Sequence, residues 1–225
     1  LRSNVTLDLW RRLSLLVPNI ALPVRLVESR VGFRGHSYQK NMNGLSVRLN
    51  EGGKQSLEDG YPSSVNVRLE DEVLPISIYA FKRGKFSEYS RQEGIIFTFN
   101  GQMQGHLDKA FFRRKKVGMS YLADSIMVIV DCSGLAIAKT EDLFMNSRDR
   151  LRDGKMLKAI EKHLEMIIGS HKGLKQLREK RRREDIENNL SDSKPLVDIL
   201  KNIIKKSPSI ALLFQKGKRL SNPFK

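Results

Sequence analysis

The sequence predicts an α+β fold, a mixed sheet built around a β-α-β unit and followed by a helical C-terminal region, and three observations carry that expectation. Two apolar runs, Ile95-Ile96-Phe97-Thr98-Phe99 and Ile126-Met127-Val128-Ile129-Val130, have the length and the β-branched and aromatic content of buried strands. The interval between them opens on Asn100-Gly101, a pair suited to positive φ, and is long enough to hold a helix and cross over to a parallel neighbour. Beyond Cys132 the apolar period changes from 2 to 3.6 residues.

Each element follows from its local pattern. Leu7, Leu9, Trp10, Leu13, Leu15, Leu16 and Val17 predict a short helix ended by Pro18. Val24–Val27 and Leu45–Leu49 read as strands joined by a loop rich in Gly, His and Asn. Val65, Val67 and Leu69 alternate, and after the acidic turn Glu70-Asp71-Glu72 the residues Val73, Ile76 and Ile78 continue a second strand, so this pair is a hairpin. Pro75 in the second strand argues for an edge or a bulge. Thr140 is placed to cap a helix running through Arg152, and Met156, Ile160, Leu164, Ile167 and Ile168 form the stripe of the next, which Gly169 stops or kinks. A long polar helix then leads to Leu190, Ser193 with Pro195 opens another, and Ser207-Pro208 opens a last short one. Three segments result: residues 1–62 as a lead-in from a preceding domain, 63–139 holding the β-α-β unit, and 140–225 as a helical, basic region. The chain opens on Leu1, as expected of a piece of something longer.

Composition narrows the function classes. Among 225 residues, 40% hydrophobic content is enough for a core, and 41 Lys and Arg against 25 Asp and Glu leave a net charge of +16. Such a surface favours polyanions as partners. One cysteine excludes an internal disulfide and a cysteine-rich zinc site, making a cytoplasmic location the expectation. No apolar run approaches the roughly 20 residues of a membrane span, so a membrane is not among the expected partners.

The segment GIIFTFNGQMQG, then an expected helix, then DSIMVIVDC, resembles the transducer domain of GHKL ATPases, the superfamily of MutL proteins, gyrase B subunits and Hsp-type chaperones. Phe99-Asn100-Gly101-Gln102 resembles the Asn-Gly-Arg turn of MutL transducers, with Gln in place of Arg. The longer run VGMSYLADSIMVIVDCSGL with EDLFMNSRDRLRD is similar to a bacterial group of large GHKL-type proteins associated with DNA-linked or phage-defence loci. The resemblance implies a lysine that reaches the γ-phosphate of ATP held by the preceding domain. Lys139 is the nearest match, with Lys115 and Lys116 as alternatives. ATP and Mg²⁺ would be bound mainly by that other domain, because the acidic-Asn helix, the Asp-x-Gly-x-Gly contact and a Gly-rich lid do not occur in this chain. The implied role is a non-catalytic relay between nucleotide state and DNA or a partner, with homodimerisation left open. It requires the two apolar runs in one sheet with a helix between them.

Other chemistry is weighed on the same residues. Cys132 ends a buried strand with no histidine in readable relation to it, a structural position rather than a nucleophile. His36, His106, His163 and His171 lack zinc-ligand spacing. Asp124 and Asp131 with Lys139 only loosely fit a metal-dependent nuclease pattern, since Lys139-Thr140-Glu141 has the wrong order. The basic residues support a second reading, a stand-alone nucleic-acid-binding module. Arg113, Arg114, Lys115 and Lys116 exceed what capping the expected helix needs. Lys172, Lys175, Arg178 and Arg182 recur at spacings of three and four, joined by Lys180, Arg181 and Arg183, a stripe able to track phosphates.

Overall fold

The computed structural model describes residues 5–20, 24–33, 39–52, 54–69, 72–147 and 150–188. The helices expected around Pro195 and Pro208 lie outside the described residues. Two compact units divide the chain, Leu1–Arg178 and Glu179–Lys225; residues 179–188 of the second are helical.

The first unit is organised by a five-stranded mixed sheet. Its strands are β3 (Ser63–Leu69), β4 (Glu72–Ala80), β5 (Glu93–Phe99), β6 (Gln102–Asp108) and β7 (Ile126–Asp131), in the order β3-β4-β7-β5-β6. A separate two-stranded ribbon pairs β1 (Val24–Val27) with β2 (Gln39–Met42). Helices α1 (Trp10–Leu16), the single turn α2 (Leu45–Val47), α3 (Ile137–Leu143), α4 (Lys155–Ser170) and α5 (172–188) complete the described elements, with short 3₁₀ and π turns between them.

The two apolar runs lie side by side and parallel, from Ile95 opposite Val128 to Thr98 opposite Asp131. They are apolar throughout because both faces of the sheet are covered. Ile95, Phe97, Val128 and Val130 face a core closed by Ile160, Leu164 and Ile168 of α4 and by Leu174 of α5. Ile96, Met127 and Ile129 face a second core with Leu15, Leu45, Leu49, Phe81 and Tyr89. Of the stripe read for α4, Ile160, Leu164 and Ile168 are buried and Met156 and Ile167 are half-buried against the same core, while Leu157, outside that reading, is buried as well.

The connection between the runs corrects the sequence reading. No α-helix occurs among the described residues between β5 and β7. Asn100 and Gly101 both hold positive φ, 49° and 74°, and close a two-residue hairpin into β6. The chain then returns through 3₁₀ turns at Lys109–Arg113 and Ser120–Leu122. The hairpin turn dictates an antiparallel partner at once, and that local preference outweighs the length available for a helix. Polar residues in Gln102-Met103-Gln104-Gly105-His106 hid the strand, which lies at the edge of the sheet formed by the described residues.

Three smaller corrections have equally local causes. Leu45–Leu49 is not a strand but a helical turn continuing into a π turn, both leucines being fully buried; the partner of β1 is the polar segment Gln39–Met42. Gly44 lets that turn approach α1, since a Cβ there would lie 2.1 Å from the Pro18 carbonyl oxygen. Thr140 is inside α3 rather than at its cap: its hydroxyl donates to the Ile137 carbonyl at 2.6 Å, and the helix ends at Leu143 instead of Arg152. Pro75 sits in an internal strand, one residue short of the ladder that joins Ile76–Ala80 to β7, so its missing N–H interrupts no bond there.

Candidate functional site

The basic run after β6 is held by acids. Asp108 caps the 3₁₀ turn by accepting from the Ala110 N–H at 2.7 Å. Arg113 bonds Asp124 at 3.0 Å beside a second ion pair from Lys109, and these two cations hold the Asp124 carboxyl below its usual pKa, Lys109 contributing most. Arg114 reaches Glu161 at 2.7 Å and Glu165 at 3.2 Å on α4 and lies 4.4 Å from the Phe111 ring. Lys116 is 3.9 Å from Glu165, and Lys115 is exposed. Here cations that read as a ligand surface dock a loop onto α4.

On α5 the pattern is mixed. Arg178 donates to the Gly118 carbonyl at 3.1 Å, Arg182 pairs with Glu179 at 3.9 Å, and Arg181 is buried. Lys172, Lys175, Lys180 and Arg183 are exposed and pair with no carboxylate among the described residues. His171 starts this helix. Its Nδ1 accepts from the Leu174 N–H at 3.2 Å, which fixes the proton on Nε2, 3.2 Å from the Ser63 hydroxyl. Burial pulls the His171 pKa down, favouring this neutral form.

Lys139 stands on α3, not in a loop. Its ammonium lies 3.6 Å from Glu72, the same carboxylate that accepts from the Ala136 N–H at 3.0 Å. The neighbouring Thr140 and Glu141 line a cleft of about 550 Å³ with Asn100, Gln102, Gln104 and Phe144. Carboxamides and one carboxylate surround it, and no cation lines it among the described residues. That lining does not fit a triphosphate. Asp124 and Asp131, weighed as nuclease ligands, fall at opposite ends of β7, roughly 20 Å apart at strand rise, too far to share an ion. Burial, with Asp131 beside it, pushes the Cys132 thiol up to about 12, the wrong direction for a nucleophile.

A cluster that sequence spacing does not reveal lies in the first 50 residues. Lys40 Nζ is 3.6 Å from the centre of the Trp10 ring, and the Arg48 guanidinium is 4.2 Å from the same ring and 4.8 Å from Tyr89. The indole N–H donates to the Asn41 carbonyl at 2.7 Å, which fixes the ring. Arg48 Nη1 is buried and hydrogen-bonds nothing among the described residues. Burial, then repulsion from Arg48 and Arg11, lowers the Lys40 pKa; burial chiefly, and Arg11 also, lower that of Arg48.

No protein-family model matches the chain, and no curated protein matches it. The functional reading therefore rests on the arrangement itself. No helix among the described residues is long and apolar enough to cross a membrane.

Proposed function

We propose that this chain is a nucleic-acid-binding module without a catalytic centre of its own. The observation that carries the reading is the set of cations that the fold leaves without carboxylates in a chain of net charge +16. Lys115, Lys172 and Lys175 in the first unit, and Lys180 and Arg183 in the second, are exposed and pair with no acid among the described residues. Cations already neutralised by acids gain little from phosphates, whereas unpaired ones displace condensed counterions when they meet a backbone. The test is fluorescence anisotropy of a labelled DNA duplex titrated with the full chain across a salt series. The logarithm of affinity should fall linearly with that of salt, and the Lys115→Ala/Lys172→Ala/Lys175→Ala variant should shallow the slope by about three. Absence of binding at low salt would reject the module.

A second reading, the relay segment of a GHKL-type ATPase, is favoured by one specific observation: the parallel pairing of β5 with β7. It lacks the bridging helix it called for, and Lys139 is engaged by Glu72. In a longer protein carrying upstream sequence, Lys139→Met should lower ATP hydrolysis; an unchanged rate would remove this reading.

A further inference from the structure

We infer that the cleft between the β5–β6 hairpin and the end of α3 is a binding site for an unpaired nucleobase, read by the carboxamides of Gln102 and Gln104 and by the Glu141 carboxylate. This rests on the nucleic-acid reading and names the part of the polymer that enters the fold. At about 550 Å³ the cleft is within the size range of small-molecule sites. Its lining is neutral to acidic in a chain of net charge +16, so a phosphate does not suit it.

Phe99 and Gln102 are cross-strand partners and so share a face of the sheet, the face on which Phe99 and Phe144 pack against the same core as α4. Gln104 follows Gln102 at a spacing of two and lies on that face as well. The ladder pairs Thr98 with Met103 but Phe97 with Gly105, so Gln104 is an inserted residue with no partner across the strand. It is 8% exposed, lines the cleft, and its side chain hydrogen-bonds nothing among the described residues. A buried carboxamide left unbonded costs stability, and a ligand that completes its donor and its acceptor recovers that cost. Asn100 is held at the cleft through its backbone N–H, which donates to the Ser133 hydroxyl at 2.9 Å, while its carboxamide stays free among the described residues. Each carboxamide presents a donor and an acceptor in one plane, the pattern carried by the edge of a base. Glu141 at the exposed rim only accepts, which selects an exocyclic amino group and disfavours thymine and uracil. Phe99 and Phe144 add an apolar wall. A duplex keeps its bases paired and stacked, so the occupant is an unpaired one.

The base can belong to a single strand or to a free nucleoside, and two measurements on the full chain separate these sources. The first is fluorescence anisotropy with labelled single strands of equal length, namely oligo(dA), oligo(dT) and an abasic strand. The second is the thermal midpoint with adenosine or with thymidine. For the strand source, oligo(dA) should bind roughly tenfold tighter than oligo(dT). Gln104→Met and Glu141→Gln should each bring those two affinities together and leave that for the abasic strand unchanged. For the free source, adenosine should raise the midpoint of the native chain and not that of Gln104→Met, and thymidine should raise neither. Without ligand, Gln104→Met should melt at or above the native midpoint, because it keeps the volume and removes an unbonded polar group. A lower midpoint with the base preference intact would make Gln104 a structural residue and overturn the site. Equal affinity for all three strands, with no effect of adenosine, overturns the site and leaves the nucleic-acid reading standing. Protection by adenosine that depends on Gln104, in a chain that binds neither strand nor duplex, upholds the site while that reading fails. A preference for oligo(dA) that both variants retain also overturns the inference.

Discussion

Two basic regions of this protein invert what the sequence suggests about them. Arg113-Arg114-Lys115-Lys116 is a contiguous run that reads as a surface for anions, yet Arg113 is taken by Asp124, Arg114 by Glu161 and Glu165, and Lys116 approaches Glu165. Arg11, Arg25, Lys40 and Arg48 are scattered over nearly 40 residues, yet the fold assembles them around one tryptophan and a strand ribbon, with no carboxylate among the described residues paired to them. The difference teaches that density of charge in sequence measures neither exposure nor availability. Acids distant in the chain decide it: Glu161 and Glu165 stand one turn apart on α4, where their spacing suits a single guanidinium.

The comparison can be broken or sharpened in order of effect. The largest should come from Leu164→Ala, which removes a fully buried side chain of α4 next to Glu165 and should cost about 2 to 5 kcal/mol in chemical denaturation. A loss under 1 kcal/mol would mean that α4 is not docked on the sheet and cannot present acids to Arg114. Arg114→Met should come next, at about 1 to 2 kcal/mol, since it strands two carboxylates that are 20% and 15% exposed while Arg114 itself is 41% exposed. The same variant should leave duplex affinity within about twofold, because that guanidinium is already spent on acids. Affinity that collapsed while stability held would reverse the contrast between the two regions.

The smallest effect concerns how α5 is started. Burial depresses the folded-state pKa of His171 below its ordinary 6.5, so the native state binds fewer protons there than the unfolded chain. The stabilisation is full above pH 6.5 and drains as pH falls from there through the lowered folded value. Protonation would also turn the Nδ1 acceptor into a donor facing the Leu174 N–H. Denaturation midpoints of the native chain should therefore fall more between pH 7.5 and 5.5 than those of His171→Asn, which caps without titrating. Parallel pH curves would show that the cap contributes nothing to holding Lys172 and Lys175 in place.

A good part of the fold was legible. The hairpin of β3 and β4, the two central strands, their parallel pairing and the packed stripe of α4 all follow from short-range apolar periods, because burial on one or two faces writes directly into alternation or into a continuous run. The β6 strand escaped for the opposite reason: an edge strand with polar residues carries little pattern, and only the Asn-Gly pair announced it. Likewise the partner of β1 is Gln39-Lys40-Asn41-Met42, a segment without strand propensity that pairs because tertiary packing supplies what propensity does not.

The sequence by itself determined the class, the location of the buried strands and a surplus of positive charge, since each is a sum or a period over neighbouring residues. Which of those charges remain available was decided only when the chain closed, because electrostatic pairing depends on distances of 3 to 4 Å between residues dozens of positions apart. Trp10, Lys40 and Arg48 carry no mutual signal in the chain. Their meeting around one ring is a property of how the ribbon and the first helix pack, and among the described residues no carboxylate pairs with either cation.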